Sequence, residues 1–111
     1  MQRDRVYLLD ILEAARLALG YISEKTKEAF LEDVLCQDAV IRRIEIIGEA
    51  ARRVSEETQQ AFPNLPWKEM IAMRNVMIHD YDGVDMVIVW DTIKKDLPPL
   101  IAELEESVSS A

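Results

Sequence analysis

Val40-Ile41-Arg42-Arg43-Ile44-Glu45-Ile46-Ile47-Gly48-Glu49-Ala50-Ala51-Arg52-Arg53-Val54 carries the clearest periodicity in the chain. Val40, Ile44, Ile47, Ala51 and Val54 recur at i, i+4, i+7, i+11 and i+14, which places them on one face of an α-helix. Ile41 and Gly48 widen that stripe, and Gly48, lacking a Cβ, fits a close helix crossing. Glu45 and Glu49 are interleaved with Arg42, Arg43, Arg52 and Arg53, and Glu49 to Arg53 is a favourable i,i+4 pair. A salt-bridged helix face accounts for these charges more simply than a nucleic-acid patch.

The same spacing recurs on both sides. Upstream, Leu8, Leu12, Ala15, Leu19 and Ile22 form one stripe of a helix of about five turns, with Asp4 as a candidate N-cap. Thr26 can cap a short second helix carrying Phe30 and Leu31. Ser55, with Glu56 and Glu57, can cap a further turn that Pro63 ends. Pro66 suits the first position of the next helix, expected to run to about Ile78 and to bury Trp67, Met70 and Ile71. The segment from His79 to Gly83 breaks the pattern, and Gly83 can take the positive φ of a turn. Asp85 can cap the helix that follows. There Met86-Val87-Ile88-Val89-Trp90 has strand propensity, yet Met86, Trp90, Ile93 and Leu97 keep helical spacing. Pro98 and Pro99 are expected to interrupt before a last acidic helix from about Leu100 to Val108. No repeat, linker or low-complexity tract divides residues 1–111. The expected fold is all-α: one up-and-down bundle of about five helices.

Composition bounds the function. The chain has 111 residues, half of them apolar, with three Gly, four Pro and a net charge of −8. That content excludes a disordered chain and argues against a turn-rich β fold. The longest apolar run, Met86 to Trp90, is far short of the roughly 20 residues that span a bilayer. Met1-Gln2-Arg3-Asp4-Arg5 leads into no signal-type stretch, and the lone Cys36 suits a reducing cytoplasm. Residues 1–53 hold nine basic and ten acidic side chains, whereas residues 54–111 hold four and eleven. So acidic a surface argues against nonspecific coating of nucleic acid, and no DNA binding is expected. Arg74, with Lys68 nearby, is an isolated positive element in the acidic half. This suits a narrow cleft that engages one or two phosphates.

Motif chemistry is sparse. The chain has no Gly-rich phosphate loop, no Cys pair and no His pair at metal spacing, so neither metal nor cofactor is expected. Asp80, Asp82 and Asp85 lack the glycine and distal glutamate of a Ca²⁺ loop and are better read as a capping turn. The single histidine, His79, sits at the end of a predicted helix. Lys68, Asn75 and His79 share one helical line, and Lys68 is a candidate substrate contact on that ground alone. Arg74 precedes His79 by five residues, about 140° away on an ideal helix. In the simplest account, His79 only caps the helix against its C-terminal dipole. If functional, the set suits metal-independent cleavage of an RNA phosphodiester. His79 would handle a proton, Arg74 would stabilise charge on phosphorus, and Asn75 would orient them. One histidine cannot easily act as both base and acid, but two chains across a two-fold axis could supply a pair.

The ordered set Arg74, Asn75, three further residues, His79-Asp80-Tyr81 resembles the motif of the HepT-like toxins of the HEPN superfamily. These are small helical ribonucleases paired with a minimal nucleotidyltransferase antitoxin. The resemblance extends through Tyr7 to Leu12, Asp38 to Arg42, Glu45 to Ala51, Pro66-Trp67, Gly83 to Asp85, Val89-Trp90 and Asp96 to Pro98. It implies a homodimer with the motif lining a cleft between protomers, Arg74 and His79 as the catalytic pair, and Asn75 as their polar companion. It also implies that Tyr81 accepts AMP from the antitoxin, which would put charge and bulk where an RNA phosphate must bind. A non-catalytic helical module, serving as partner or substrate of a nucleotidyltransferase, would use the same residues.

Overall fold

A computed structural model describes residues 2–79 and 85–110, with positions 2, 75–79 and 110 as backbone only. Among the described residues every regular element is helical. The long helices are α1 (Gln2–Ile22), α3 (Val34–Arg53), α5 (Trp67–His79) and α7 (Leu97–Ser110). The short ones are α2 (Lys27–Leu31), α4 (Glu56–Ala61) and α6 (Met86–Asp91), each of five or six residues. A π-helical turn, Thr92–Asp96, joins α6 to α7. The expected all-α bundle is therefore found, with four long helices instead of about five, and the rest as single short turns.

Helix α1 packs on α3 and α7, and α3 packs in turn on α5, so α3 lies between the N-terminal helix and the helix carrying Arg74. The predicted stripes form the core. Leu8, Leu12, Ala15 and Ile22 of α1 are buried, with Ile11, Ala14 and Ala18 broadening the face, while Leu19 is only half-buried. Val40, Ile44, Ile47 and Ala51 of α3 are fully buried against them. Phe30 is buried and meets Trp90 in a tilted ring contact with centroids 5.4 Å apart, whereas Leu31 stays exposed. Met70 is fully buried; Trp67 and Ile71 are half-buried, and the Trp67 indole donates to the Phe62 carbonyl at 3.0 Å.

The capping assignments hold at Thr26, Ser55 and Asp85, whose side chains accept from the backbone N–H of Ala29, Thr58 and Val87. Asp4 is different. It lies inside the first turn of α1, nearly buried, and its carboxylate accepts from Ser55 N at 3.1 Å, Ser55 Oγ at 2.6 Å and Thr58 Oγ1 at 2.6 Å. Asp4 thus braces the start of α4 and ties the first turn of the chain to it.

Pro98 and Pro99 do not interrupt the last helix. Both fall in the first turn of α7, where a missing N–H loses no α-helical bond. The wider π turn before them absorbs the mismatch between the two helical segments. The turn assigned to Gly83 lies outside the described residues.

Candidate functional site

Of the residues expected to carry chemistry, Lys68, Arg74, Asn75 and His79 lie on α5, which packs against α3. At their crossing the two backbones approach closely: a Cβ built on Gly48 would lie 2.5 Å from Arg74 Cβ and 2.8 Å from Arg74 N. No side chain fits there, so glycine is what allows α5 to settle on α3 at this level. The expectation of a close crossing at Gly48 is met, and its partner is the motif arginine.

One residue along α3, Glu49 gathers three arginines. Its Oε1 accepts from Arg52 Nη2 at 2.9 Å and from Arg53 Nε at 3.0 Å. Its Oε2 lies 3.0 Å from Arg74 Nε. That last N–H is not aligned with the oxygen, and Oε2, shielded from solvent, accepts no hydrogen bond among the described residues. The Arg52 hydrogen bond, with Arg53 beside it, holds the Glu49 carboxyl below its ordinary range despite partial desolvation.

An open cleft of about 320 Å³ runs over this cluster, lined by Tyr7 and Asp10 of α1, Arg42, Glu45, Ile46, Glu49, Ala50 and Arg53 of α3, and Arg74 of α5. Arg42 and Arg53 stand at its two ends along α3, about 16 Å apart at the rise of an α-helix. The cleft is of mixed sign, with three guanidiniums against Asp10, Glu45 and Glu49. Arginine forks suit phosphate oxygens, and the carboxylates restrict where an anion can sit.

Arg74 is thus a cleft residue, with its side chain about one-third exposed at 37%. His79 is the last residue of α5, so Arg74 and His79 share one helix and its C-terminal end. The side chains of Asn75 and His79, and all of Tyr81, lie outside the described residues. Lys68 is exposed on α5 and is not among the residues lining the cleft. The sequence reading did not single out Glu49, nor Arg42 and Arg53 as a site. The signal was present in the line Arg42, Glu45, Glu49, Arg53 at i, i+3, i+7 and i+11, a polar stripe on one face of the helix. No helix among the described residues is long and apolar enough to cross a membrane.

Comparison with known proteins identifies the family. Residues 11–107 match the family described as ribonuclease HepT-like, and the chain belongs to that family. It is 39% identical over 101 residues to the "Putative RNase MJ1380" of Methanocaldococcus jannaschii, covering 91% of this chain and 93% of that protein. It is 44% identical over 104 residues to the "Probable ribonuclease HepT" of Thermococcus cleftensis, covering 90% and 91%. A further M. jannaschii relative, "Gamma-glutamylcyclotransferase and putative RNase MJ0434", is 43% identical, with the match spanning 94% of this chain and 47% of that one. No solved structure gives a significant match.

Proposed function

We propose that the chain is a metal-independent endoribonuclease that works as a homodimer. In this reading it is a cytoplasmic toxin silenced when a nucleotidyltransferase antitoxin transfers AMP to Tyr81. The observation that carries it is Arg74, seated in a cleft with Arg42 and Arg53 and opening an Arg-x4-His segment in a chain of the ribonuclease HepT-like family.

The chemistry follows from the residue types. Arg74 binds the scissile phosphate through its planar fork and stabilises the extra charge of the pentacovalent state. Neutral His79 accepts the proton of the 2′-OH as that oxygen bonds to phosphorus. The bond to the 5′-oxygen then breaks, leaving a 2′,3′-cyclic phosphate. The leaving oxygen takes a proton from an imidazolium, which a second copy of the chain supplies across the two-fold axis. Asn75 orients this pair. No step requires a metal ion, so cleavage is expected to persist in chelator.

The test is cleavage of RNA by protein purified without a nucleotidyltransferase. Cleavage in EDTA that disappears in Arg74→Ala and His79→Ala supports the reading. Equal residual cleavage in all three proteins overturns it. Absence of cleavage, together with AMP transfer to Tyr81, would leave the non-catalytic partner module as the function.

A further inference from the structure

Glu49 is a half-buried carboxylate: its Oε1 accepts from Arg52 and Arg53, while Oε2 is shielded from solvent and has no hydrogen bond among the described residues. A shielded acceptor atom without a hydrogen bond calls for an explanation, since desolvating it is costly. The nearest cation to that oxygen is Arg74, 3.0 Å away through Nε. Arg52 and Arg53 hold Oε1 from the last turn of the same helix, which restricts how the carboxylate can turn. Gly48 beside it holds the α5 backbone at Arg74 against α3. The carboxylate and the base of the arginine are therefore both fixed, and only the guanidinium between them can adjust. Among the described residues the terminal nitrogens of Arg74 donate no hydrogen bond, and Arg74 lines the cleft.

We propose that Glu49 is a positioning residue for Arg74. It holds the guanidinium by Nε so that the two terminal nitrogens present a fork to an RNA phosphate in the cleft. A small rotation of Arg74 as the phosphate binds aligns Nε–H with Oε2 and completes the contact. The role deepens the ribonuclease reading and rests on it for its catalytic consequence. The alternatives are a brake, in which Glu49 competes with phosphate for Arg74, and a scaffold, in which Glu49 only stabilises the helix pair.

The experiment compares wild type, Glu49→Gln and Glu49→Asp in the full-length chain. It measures turnover at saturating RNA, affinity for uncleavable 2′-O-methyl RNA, thermal unfolding, and the arginine ¹⁵Nε spectrum with Arg74 assigned through Arg74→Lys. Positioning predicts that Glu49→Gln unfolds near the wild-type temperature, binds RNA as well or a few-fold more tightly, and turns over about 10–100-fold more slowly. Glu49→Asp, keeping the charge, should recover part of that loss. Turnover equal to or above wild type in Glu49→Gln would make Glu49 a brake. Turnover, affinity and unfolding temperature falling together would make it a scaffold. Either result overturns the proposal. Should wild type fail to cleave RNA, the ribonuclease reading falls separately, and the ¹⁵Nε resonance decides whether Glu49 holds Arg74. A held arginine gives a shifted resonance that moves to the free-arginine position in Glu49→Gln, and a free-arginine position already in wild type overturns it.

Discussion

The backbone of α5 at Arg74 rests on Gly48 of α3, with a hypothetical Gly48 Cβ only 2.5 Å from Arg74 Cβ and 2.8 Å from Arg74 N. The contact is with backbone and Cβ, which cannot swing aside as the end of a flexible side chain could. Gly48→Ala therefore has to push the helices apart. It is expected to destabilise the chain by about 1–3 kcal/mol, measured by denaturant unfolding. Because the displaced residue is Arg74, RNA cleavage should fall further than the lost folded fraction explains.

Arg74→Lys should not restore what Arg74→Ala removes. Lysine supplies one point charge, whereas arginine offers a fork and an Nε that lies 3.0 Å from Glu49 Oε2. Turnover is expected to fall on the order of 100-fold with little change in unfolding temperature, as read by single-turnover cleavage. A lysine variant within a few-fold of wild type would mean that charge alone suffices.

Arg42 lines the cleft at the far end of α3 from Arg53, too distant along the helix for both to meet one phosphate. Arg42→Gln is expected to weaken RNA binding by a similar factor across sequences. It should also reduce the slope of log K against log salt by about 0.7, the loss of one contact to a single strand. Fluorescence anisotropy across a salt series measures both.

Asp4 couples stability to pH. Hydrogen bonds from the Ser55 hydroxyl first, then Thr58, pull its carboxyl below the ordinary range despite its burial. A lowered folded value means that the stabilisation is complete above the unfolded pKa, near 3.8, and is lost as pH falls through the folded one. Wild type should lose more stability than Asp4→Asn as the pH falls below about 4. At neutral pH, Asp4→Asn should cost about 1–3 kcal/mol. Parallel pH-dependent curves for the two proteins would remove Asp4 as the cause.

Tyr81 is the expected acceptor of AMP. With an active nucleotidyltransferase and ATP, mass spectrometry should find the adduct on Tyr81, and Tyr81→Phe should carry none. AMP on another residue would separate this chain from the modification that its motif implies.

Much of the helical fold is readable from the chain because burial of a helix face leaves a periodic trace. Val40, Ile44, Ile47 and Ala51, like Leu8, Leu12, Ala15 and Ile22, are both the predicted and the observed core. The caps at Thr26, Ser55 and Asp85 were equally legible, since the hydroxyl or carboxylate and the N–H it accepts lie within three residues. Local spacing misled at Pro98 and Pro99, where a π turn lets the helix restart at once, and at Asp4, whose partners lie 51 and 54 residues away.

The amino-acid sequence by itself determined the all-α class, the Arg74 to His79 motif and the internal Glu49–Arg53 pair, because each is written in spacings of a single helix. Only the tertiary structure decided that Glu49 also meets Arg74, that Gly48 is the surface on which that arginine sits, and that Arg42 and Arg53 share its cleft. Those relations join residues more than 20 apart in the chain. They depend on how α5 crosses α3, and a crossing is set by the fit of two surfaces, which no periodicity within either helix encodes.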